Sequence, residues 1–221
     1  MIKVAIVDDK PYNRNVIADK LSRHPSFTII FEANNGAVFL KKMNDLQDGQ
    51  LPHIVLMDLE MPEVDGVSAI ATASSLYPAC KFVVLTIFDD ADKIFNAIRA
   101  GACGYLLKEE SGEVITQMLM NLWESGAGPI SPSIAYKILQ MVQQPAAVKD
   151  VREKGENIFQ LSDRELEILQ HLCDGLEYKE IGAKLFISAN TVKKHCISIY
   201  QKLHVKSKAQ ALRIAFTKGL I

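Results

Sequence analysis

No stretch of the 221 residues stays apolar for the roughly 18 positions that a membrane-crossing helix needs. The first apolar run, Ile2–Val7, meets Asp8 and Asp9 at once and leads to no small-residue cleavage site, so no secretory leader is expected. Both absences point to a cytoplasmic protein with no membrane partner. Cysteine is sparse as well: Cys80, Cys103, Cys173 and Cys196 lie far apart and form no C-x-x-C pair, and the five histidines lack ligand spacing. Disulfide frameworks and zinc sites lose their usual signatures, and reduced structural thiols are expected. A last absence is local. Residues 181–221 contain eight basic residues and no acid at all. A solvated helix face normally mixes both signs, so this end points to a polyanion partner.

What is present is a charge asymmetry and a change of periodicity. Residues 1–125 carry 11 Lys/Arg against 17 Asp/Glu, whereas residues 161–221 carry 10 against 6. Up to residue 125 short apolar runs (Ile2–Val7, 28–31, Ile54–Met57, 82–85 and Gly104–Leu107) alternate with amphipathic segments near 12–23, 36–47, 66–76, 90–100 and 112–125. Near-continuous apolar runs suit strands buried on both faces. Five β-α units in a row predict an α/β domain, a doubly wound five-stranded parallel sheet with right-handed crossovers. Gly101 and Gly104 fit the turn into the fifth strand. Gly126, Gly128, Pro129 and Pro132 then break the pattern. Residues 126–160 read as a linker with one helix at 133–142, its polar part beginning at Gln143.

Residues 161–221 are helical in pattern throughout. Ser162-Asp163-Arg164-Glu165 is a capping box, Gly175 stops the first helix, a short helix follows near 178–185, Ser188 caps a third near 189–203, and Ser207 caps a fourth. Four short helices in so little chain predict a small all-α helix-turn-helix module.

Chemistry concentrates at the predicted strand ends. Asp8 and Asp9 follow the first strand, Asp58 ends the third, Thr86 the fourth, and Lys108 follows the fifth. In a parallel sheet all these ends emerge on one edge, where ligands bind. Crowded carboxylates repel one another and call for a cation, and Mg²⁺ is the hard divalent ion that oxygen ligands suit. Asp58 then reads as a nucleophile towards a phosphoryl group, with the Lys108 ammonium and the Thr86 hydroxyl as partners for its oxygens.

These residues resemble the receiver domain of response regulators across nearly all of 1–125. The segments that carry the likeness are Val7-Asp8-Asp9, Met57-Asp58-Leu59-Glu60-Met61-Pro62, Asp65-Gly66, Leu85-Thr86 and 100–108. The resemblance implies a flavodoxin-like receiver in which Asp58 is the phosphoacceptor. It also implies that Asp8, Asp9, Asp58 and the main-chain carbonyl of Glu60 place Mg²⁺, and that Thr86 and Lys108 read the phosphoryl group. Tyr105 matches the switch aromatic, a half-buried strand tyrosine being the rival reading. The Glu60 side chain adds a negative charge beside the site, expected to slow approach of water or an anionic donor.

On the third C-terminal helix, Val192, Cys196, Ile199 and Leu203 fall on one buried stripe, and Asn190, Lys193, Lys194, Ile197 and Gln201 on another face. The second set holds the residue types that meet phosphates and base edges, and Thr191 sits at the capped N-terminus, where free N–H groups suit a phosphate. Which of Lys193 and Lys194 meets a base is open. His195 reads as a packed histidine and Lys202 as a solvated edge. From Leu161 to Leu220 the chain resembles the LuxR-type helix-turn-helix of the NarL/FixJ class, departing from it at Tyr178 and Lys208. The likeness implies that 178–185 supports, that 189–203 recognises double-stranded DNA, and that 207–218 forms a dimer face.

The two resemblances together imply a transcription regulator of a bacterial two-component system, phosphorylated by a histidine kinase and homodimeric when phosphorylated. In this class the unphosphorylated receiver can mask the recognition helix. Beyond self-phosphoryl transfer and self-dephosphorylation at Asp58 no enzyme activity is expected. A rival Mg²⁺-dependent phosphohydrolase would need a D-x-D pair and a cap, and Asp58 is followed by Leu59 and Glu60. A second rival, an interaction protein that is never phosphorylated, has no need of the full acid set.

Overall fold

The computed structural model describes residues 1–47, 49–87, 91–143 and 158–221. The chain divides into two units, Met1–Glu156 and Asn157–Ile221. The polar linker expected from Gln143 to residue 160 falls largely outside the described residues.

The first unit runs β1 (Ile2–Val7), α1 (Pro11–Ser22), β2 (Phe27–Ala33), α2 (Gly36–Asp45), β3 (Ile54–Met57), α3 (Gly66–Leu76), β4 (Lys81–Thr86), α4 (Ala91–Ala100), β5 (Gly104–Leu107), α5 (Gly112–Ser125) and α6 (Pro132–Gln143). All strand pairs are parallel, in the order β2-β1-β3-β4-β5. The chain steps from β1 outward to β2 and then back across to β3, which makes the gap beside β1 and β3 the switch point of the sheet. Register aligns the site. Val7 pairs with Met57, so Asp8 and Asp58 leave their strands side by side. Thr86 pairs with Leu107, so Lys108 leaves β5 beside Thr86.

Alternation along each strand builds two cores. Val4, Ile6, Leu56, Val83, Leu85 and Leu106 face one layer with Ile17 and Leu21 of α1 and Ile115, Leu119 and Leu122 of α5. Ala5, Val7, Val55, Met57 and Val84 are equally buried, as are Phe39 of α2, Ile70 of α3 and Ile94 of α4. Burial on both faces is why these strands read as unbroken apolar runs.

Close approach requires glycine at two positions next to the strand ends. A Cβ at Gly66 would lie 2.0 Å from the Asp58 carbonyl oxygen. Asp65 caps α3 by accepting from Ser68 N–H, and Gly66 N–H donates to the Leu59 carbonyl at 3.0 Å. Gly104 lies inside β5 rather than in the turn before it, because a Cβ there would meet Pro129 at 2.5 Å. Residues 129–131 run along the outer edge of β5. Tyr105 N–H donates to the Pro129 carbonyl at 2.7 Å, Ser131 N–H donates to the Tyr105 carbonyl at 3.0 Å, and Leu107 N–H donates to Ser131 Oγ at 3.2 Å. Helix α6 then packs on α4.

The second unit consists of α7 (Asp163–Cys173), α8 (Tyr178–Leu185), α9 (Ala189–Lys202) and α10 (Lys208–Thr217). Ile168, Leu169 and Leu172 meet Ile181, Val192, Cys196, Ile199, Leu203, Ile214 and Ala215 in its core. Between α8 and α9 the chain turns tightly at Phe186, in left-handed backbone at φ 55°. Arg164 Nη2 donates to the Leu185 carbonyl at 2.7 Å and fixes that turn.

The Gly66 contact gives a first prediction. A methyl group cannot enter against main chain, so Gly66→Ala is expected to destabilise the first unit by about 3 kcal/mol. Denaturant unfolding followed by fluorescence of Trp123, the single tryptophan, measures it; a variant within experimental error of wild type refutes the contact.

Candidate functional site

Asp8, Asp9 and Asp58 converge at the C-terminal edge of the sheet, with a carboxylate oxygen of each within 4.8 Å of the others. Lys108 Nζ bridges two of them, 2.5 Å from Asp8 Oδ2 and 2.7 Å from Asp58 Oδ2, with all three side chains buried. The remaining oxygens divide unequally. Asp8 Oδ1 accepts from Lys10 N–H at 2.9 Å and Asn13 Nδ2 at 3.2 Å. Asp58 Oδ1 accepts from Leu59 N–H at 2.9 Å. Asp9 Oδ1 is buried and has no hydrogen-bond partner. A buried carboxylate oxygen that meets no donor, beside two further carboxylates, suits a hard divalent ion, and the residues present fit one.

The electrostatics agree. Burial pushes the Asp58 carboxyl above its ordinary range, the hydrogen bond and charge of Lys108 pull it down, and the Asp8 charge raises it again; the net direction is up. Thr86 is fully buried at the end of β4, and Tyr105 is buried in β5. Glu60 does not leave its charge bare: its carboxylate pairs with Lys93 of α4 on the half-exposed rim.

In the second unit, Asn190, Lys193, Lys194, Ile197 and Gln201 are all exposed on α9, opposite the buried Val192, Cys196 and Ile199. Ser188 caps the helix, its Oγ accepting from Thr191 N–H at 3.0 Å and lying 2.8 Å from Thr191 Oγ1. Thr191 and His195 are half-buried.

A family model described as the response regulator receiver domain matches residues 4–120, and one described as bacterial regulatory proteins, luxR family, matches residues 160–215. The chain is a LuxR-family response regulator. Among its relatives is the transcriptional regulatory protein LnrK of Bacillus subtilis strain 168, 35% identical over 213 residues, spanning 96% of this chain and 94% of that protein. Another is the transcriptional regulatory protein LiaR of the same strain, 34% identical over 224 residues and spanning 100% of both. The structure of response regulator ChrA from a heme-sensing two-component system is 31% identical, covers 100% of this chain and 98% of that one, and superposes with a TM-score of 0.51. RcsB of Salmonella typhimurium, at 21% identity, 98% coverage of both chains and a TM-score of 0.56, shares the fold. The regulator thus joins a receiver to a DNA-binding domain, as a regulator of transcription. Among its described residues no helix is long and apolar enough to cross a membrane.

Sequence patterning missed three features of the regulator. Asn13 and Arg14 reach the Asp8–Asp9 loop from α1, signalled only by polar residues in the first turn of a helix. The pairing of 129–131 with β5 was hidden by Gly126, Gly128 and Pro129, which read as a break. Lys202 is not a solvated edge, since its Nζ lies 2.6 Å from Glu165 Oε2 and 2.8 Å from the Gln160 carbonyl.

That last contact belongs to a network around the buried Glu165. Glu165 accepts from Lys202, from Ser198 Oγ at 2.6 Å and from Ser162 N–H at 2.8 Å. Burial alone would raise the Glu165 carboxyl, but these donors and the Lys202 charge outweigh it and hold the group at about 2, below its ordinary 4.5. A depressed carboxyl stabilises the fold fully above the ordinary value and loses that stabilisation as pH falls towards the folded value. The second unit of the regulator is therefore expected to lose on the order of 3 kcal/mol between about pH 4.5 and about pH 2. Hydrogen exchange of α7 and α9 amides against pH tests this, and Glu165→Gln should flatten the profile; an equally steep profile in that variant removes the assignment.

Proposed function

We propose that the regulator accepts a phosphoryl group on Asp58 from a histidine kinase, and that this modification promotes homodimerisation and binding of double-stranded DNA through α9. The observation that carries the reading is the cluster at the sheet edge: Asp58 Oδ2 bonded to Lys108, with Asp8 and the unpartnered Asp9 Oδ1 beside it. In the transfer, the phosphorus–nitrogen bond to the kinase histidine, protonated on its other ring nitrogen, breaks as a bond from phosphorus to an Asp58 oxygen forms. The bond pair stays on the leaving nitrogen, so the products are an acyl phosphate and a neutral imidazole that keeps its proton.

Asp8, Asp9, Asp58 and the main-chain carbonyl of Glu60 would hold Mg²⁺. Bound there, the ion neutralises charge on the phosphoryl oxygens. Lys108, already at Asp58, supplies a positive charge to another oxygen, and the Thr86 hydroxyl donates to a third. Buried Tyr105 on the neighbouring strand is the proposed readout, repacking as Thr86 moves and biasing a two-state element around α4 and β5. On α9, Lys193 and Lys194 are the proposed phosphate or base contacts, with Asn190, Thr191, Ile197 and Gln201 completing the face. Exposed Phe216 on α10 supports that helix as the dimer surface. The proposed receiver has its β/α repeat within 1–125 and takes residues 129–131 and α6 of the 126–160 segment as part of the same unit, with the DNA-binding domain over 161–221, in a cytoplasmic protein.

The deciding experiment measures DNA affinity and oligomeric state of wild type and Asp58→Ala with and without beryllofluoride. A response in wild type that Asp58→Ala abolishes is expected; identical behaviour of the two proteins refutes the phosphoacceptor. For the DNA face, log affinity should fall linearly with log salt, and Lys193→Ala with Lys194→Ala should weaken binding and flatten the slope by about two per bound protomer. An unchanged slope removes that face. For Glu60, loss of the acid should admit water, so Glu60→Gln is expected to shorten the acyl-phosphate lifetime a few-fold; equal lifetimes remove the idea.

A further inference from the structure

We infer that α1 is the positioning helix of the phosphoryl site, Arg14 setting the main chain that carries Asp8 and Asp9, and Lys20 setting the main chain that carries Lys108. This rests on reading the acidic cluster as the Mg²⁺ and phosphoryl site.

Two cations on one helix reach main-chain carbonyls on opposite sides of the cluster. Arg14 Nη1 donates to the Asp8 carbonyl at 2.8 Å and to the Asp9 carbonyl at 3.5 Å. Its Nε donates to Glu32 Oε2 of β2 at 3.0 Å, and its side chain is mostly buried. The planar guanidinium is thus anchored at one end and grips two consecutive carbonyls with the other, which a single-point ammonium cannot reproduce. Orienting those carbonyls fixes the backbone from which both carboxylates project. From the same helix Asn13 reaches the Asp8 carboxylate itself.

Six residues further on, Lys20 Nζ donates to the carbonyl of Lys108 at 3.1 Å and to that of Glu110 at 2.7 Å. Its stem runs over Gly112, where a Cβ would come within 3.3 Å of Lys20 Cγ, so a glycine at the start of α5 keeps the path open. Lys108 is held at its other side by its own N–H, which donates to the Thr86 carbonyl at 2.9 Å. Its backbone is therefore pinned between α1 and β4 while its ammonium reaches Asp58. Neither Arg14 nor Lys20 touches the reacting atoms; each acts through the chain it holds, as supports around metal and phosphoryl sites do.

The two cations should fail differently. Full-length wild type, Arg14→Gln, Arg14→Lys, Lys20→Met and Lys20→Arg are titrated with Mg²⁺ by calorimetry. Each is then phosphorylated by acetyl phosphate at saturating Mg²⁺, with thermal unfolding as a control. Arg14→Gln is expected to weaken Mg²⁺ binding about tenfold, and Arg14→Lys, which keeps the charge, should weaken it too. Removing a cation near three carboxylates would by charge alone strengthen Mg²⁺ binding, so the direction decides. Lys20→Met should not weaken Mg²⁺ binding and should slow phosphorylation about tenfold, and Lys20→Arg, which can bond both carbonyls, should restore the rate. Arg14→Gln binding Mg²⁺ as tightly as wild type, or Lys20→Met reacting at the wild-type rate, overturns the inference. Wild type that binds Mg²⁺ yet never gains phosphate on the Asp58 peptide refutes the phosphoacceptor reading instead, and with it the part of Lys20. The Mg²⁺ titration still decides Arg14.

Discussion

Three carboxylates held within a few ångströms below the protein surface form an arrangement that folding alone would not select. Each costs desolvation energy, and each repels the other two. Lys108 relieves part of this by lying across Asp8 and Asp58, and Asp9 keeps a buried oxygen with no partner. The rest of the receiver is organised around holding that tension. The central strands are buried on both faces, so a shift in register at the edge from which the acids emerge would mis-seat side chains in two close-packed layers at once. The uncompensated charge is what a cation and a phosphoryl group exploit, and it is stored by the fold before either arrives.

The scaffold meets the cluster through main chain more than through side chains. Gly66 lets α3 begin against the Asp58 carbonyl, and Asp65 caps that helix. Asp58 N–H donates to the Val7 carbonyl at 2.8 Å, which ties the third strand's exit to the first. Such contacts fix where Cα atoms sit and leave the carboxylates free to exchange partners. The helical unit relies on a side-chain network instead. Glu165, buried between α7 and α9, closes a capping box and receives Lys202, so the helix that presents Lys193 and Lys194 is locked to the unit's first helix.

Much of this was legible in the residues. Ile2–Val7, Ile54–Met57 and Gly104–Leu107 announced their strands because both faces are buried and nothing polar interrupts them. The cluster followed from topology, since a parallel sheet sends every strand end to one edge and Asp8, Asp58, Thr86 and Lys108 stand at those ends. Long-range contacts of single polar residues were not legible. Nothing local distinguishes Arg14 or Lys20 from any cation on an amphipathic helix, because their partners are carbonyls, which every residue has. Lys202 was read as solvated for the same reason: its acid lies 37 residues away. Likewise Gly104 looked like a turn former, when what demands it is Pro129 lying against the strand.

The way residues 129–131 lie along β5 bears on how such proteins can be recombined. A receiver severed at residue 125 would leave the N–H and C=O of Tyr105 bare on an open sheet edge and expose the ground that Pro129 covers. That edge would invite pairing with other chains. A chimera that joins this receiver to a foreign output module keeps the edge sealed when its junction falls after Gln143, with α6 carried along. For the same reason residue 104 and residue 129 are free to vary only as a pair.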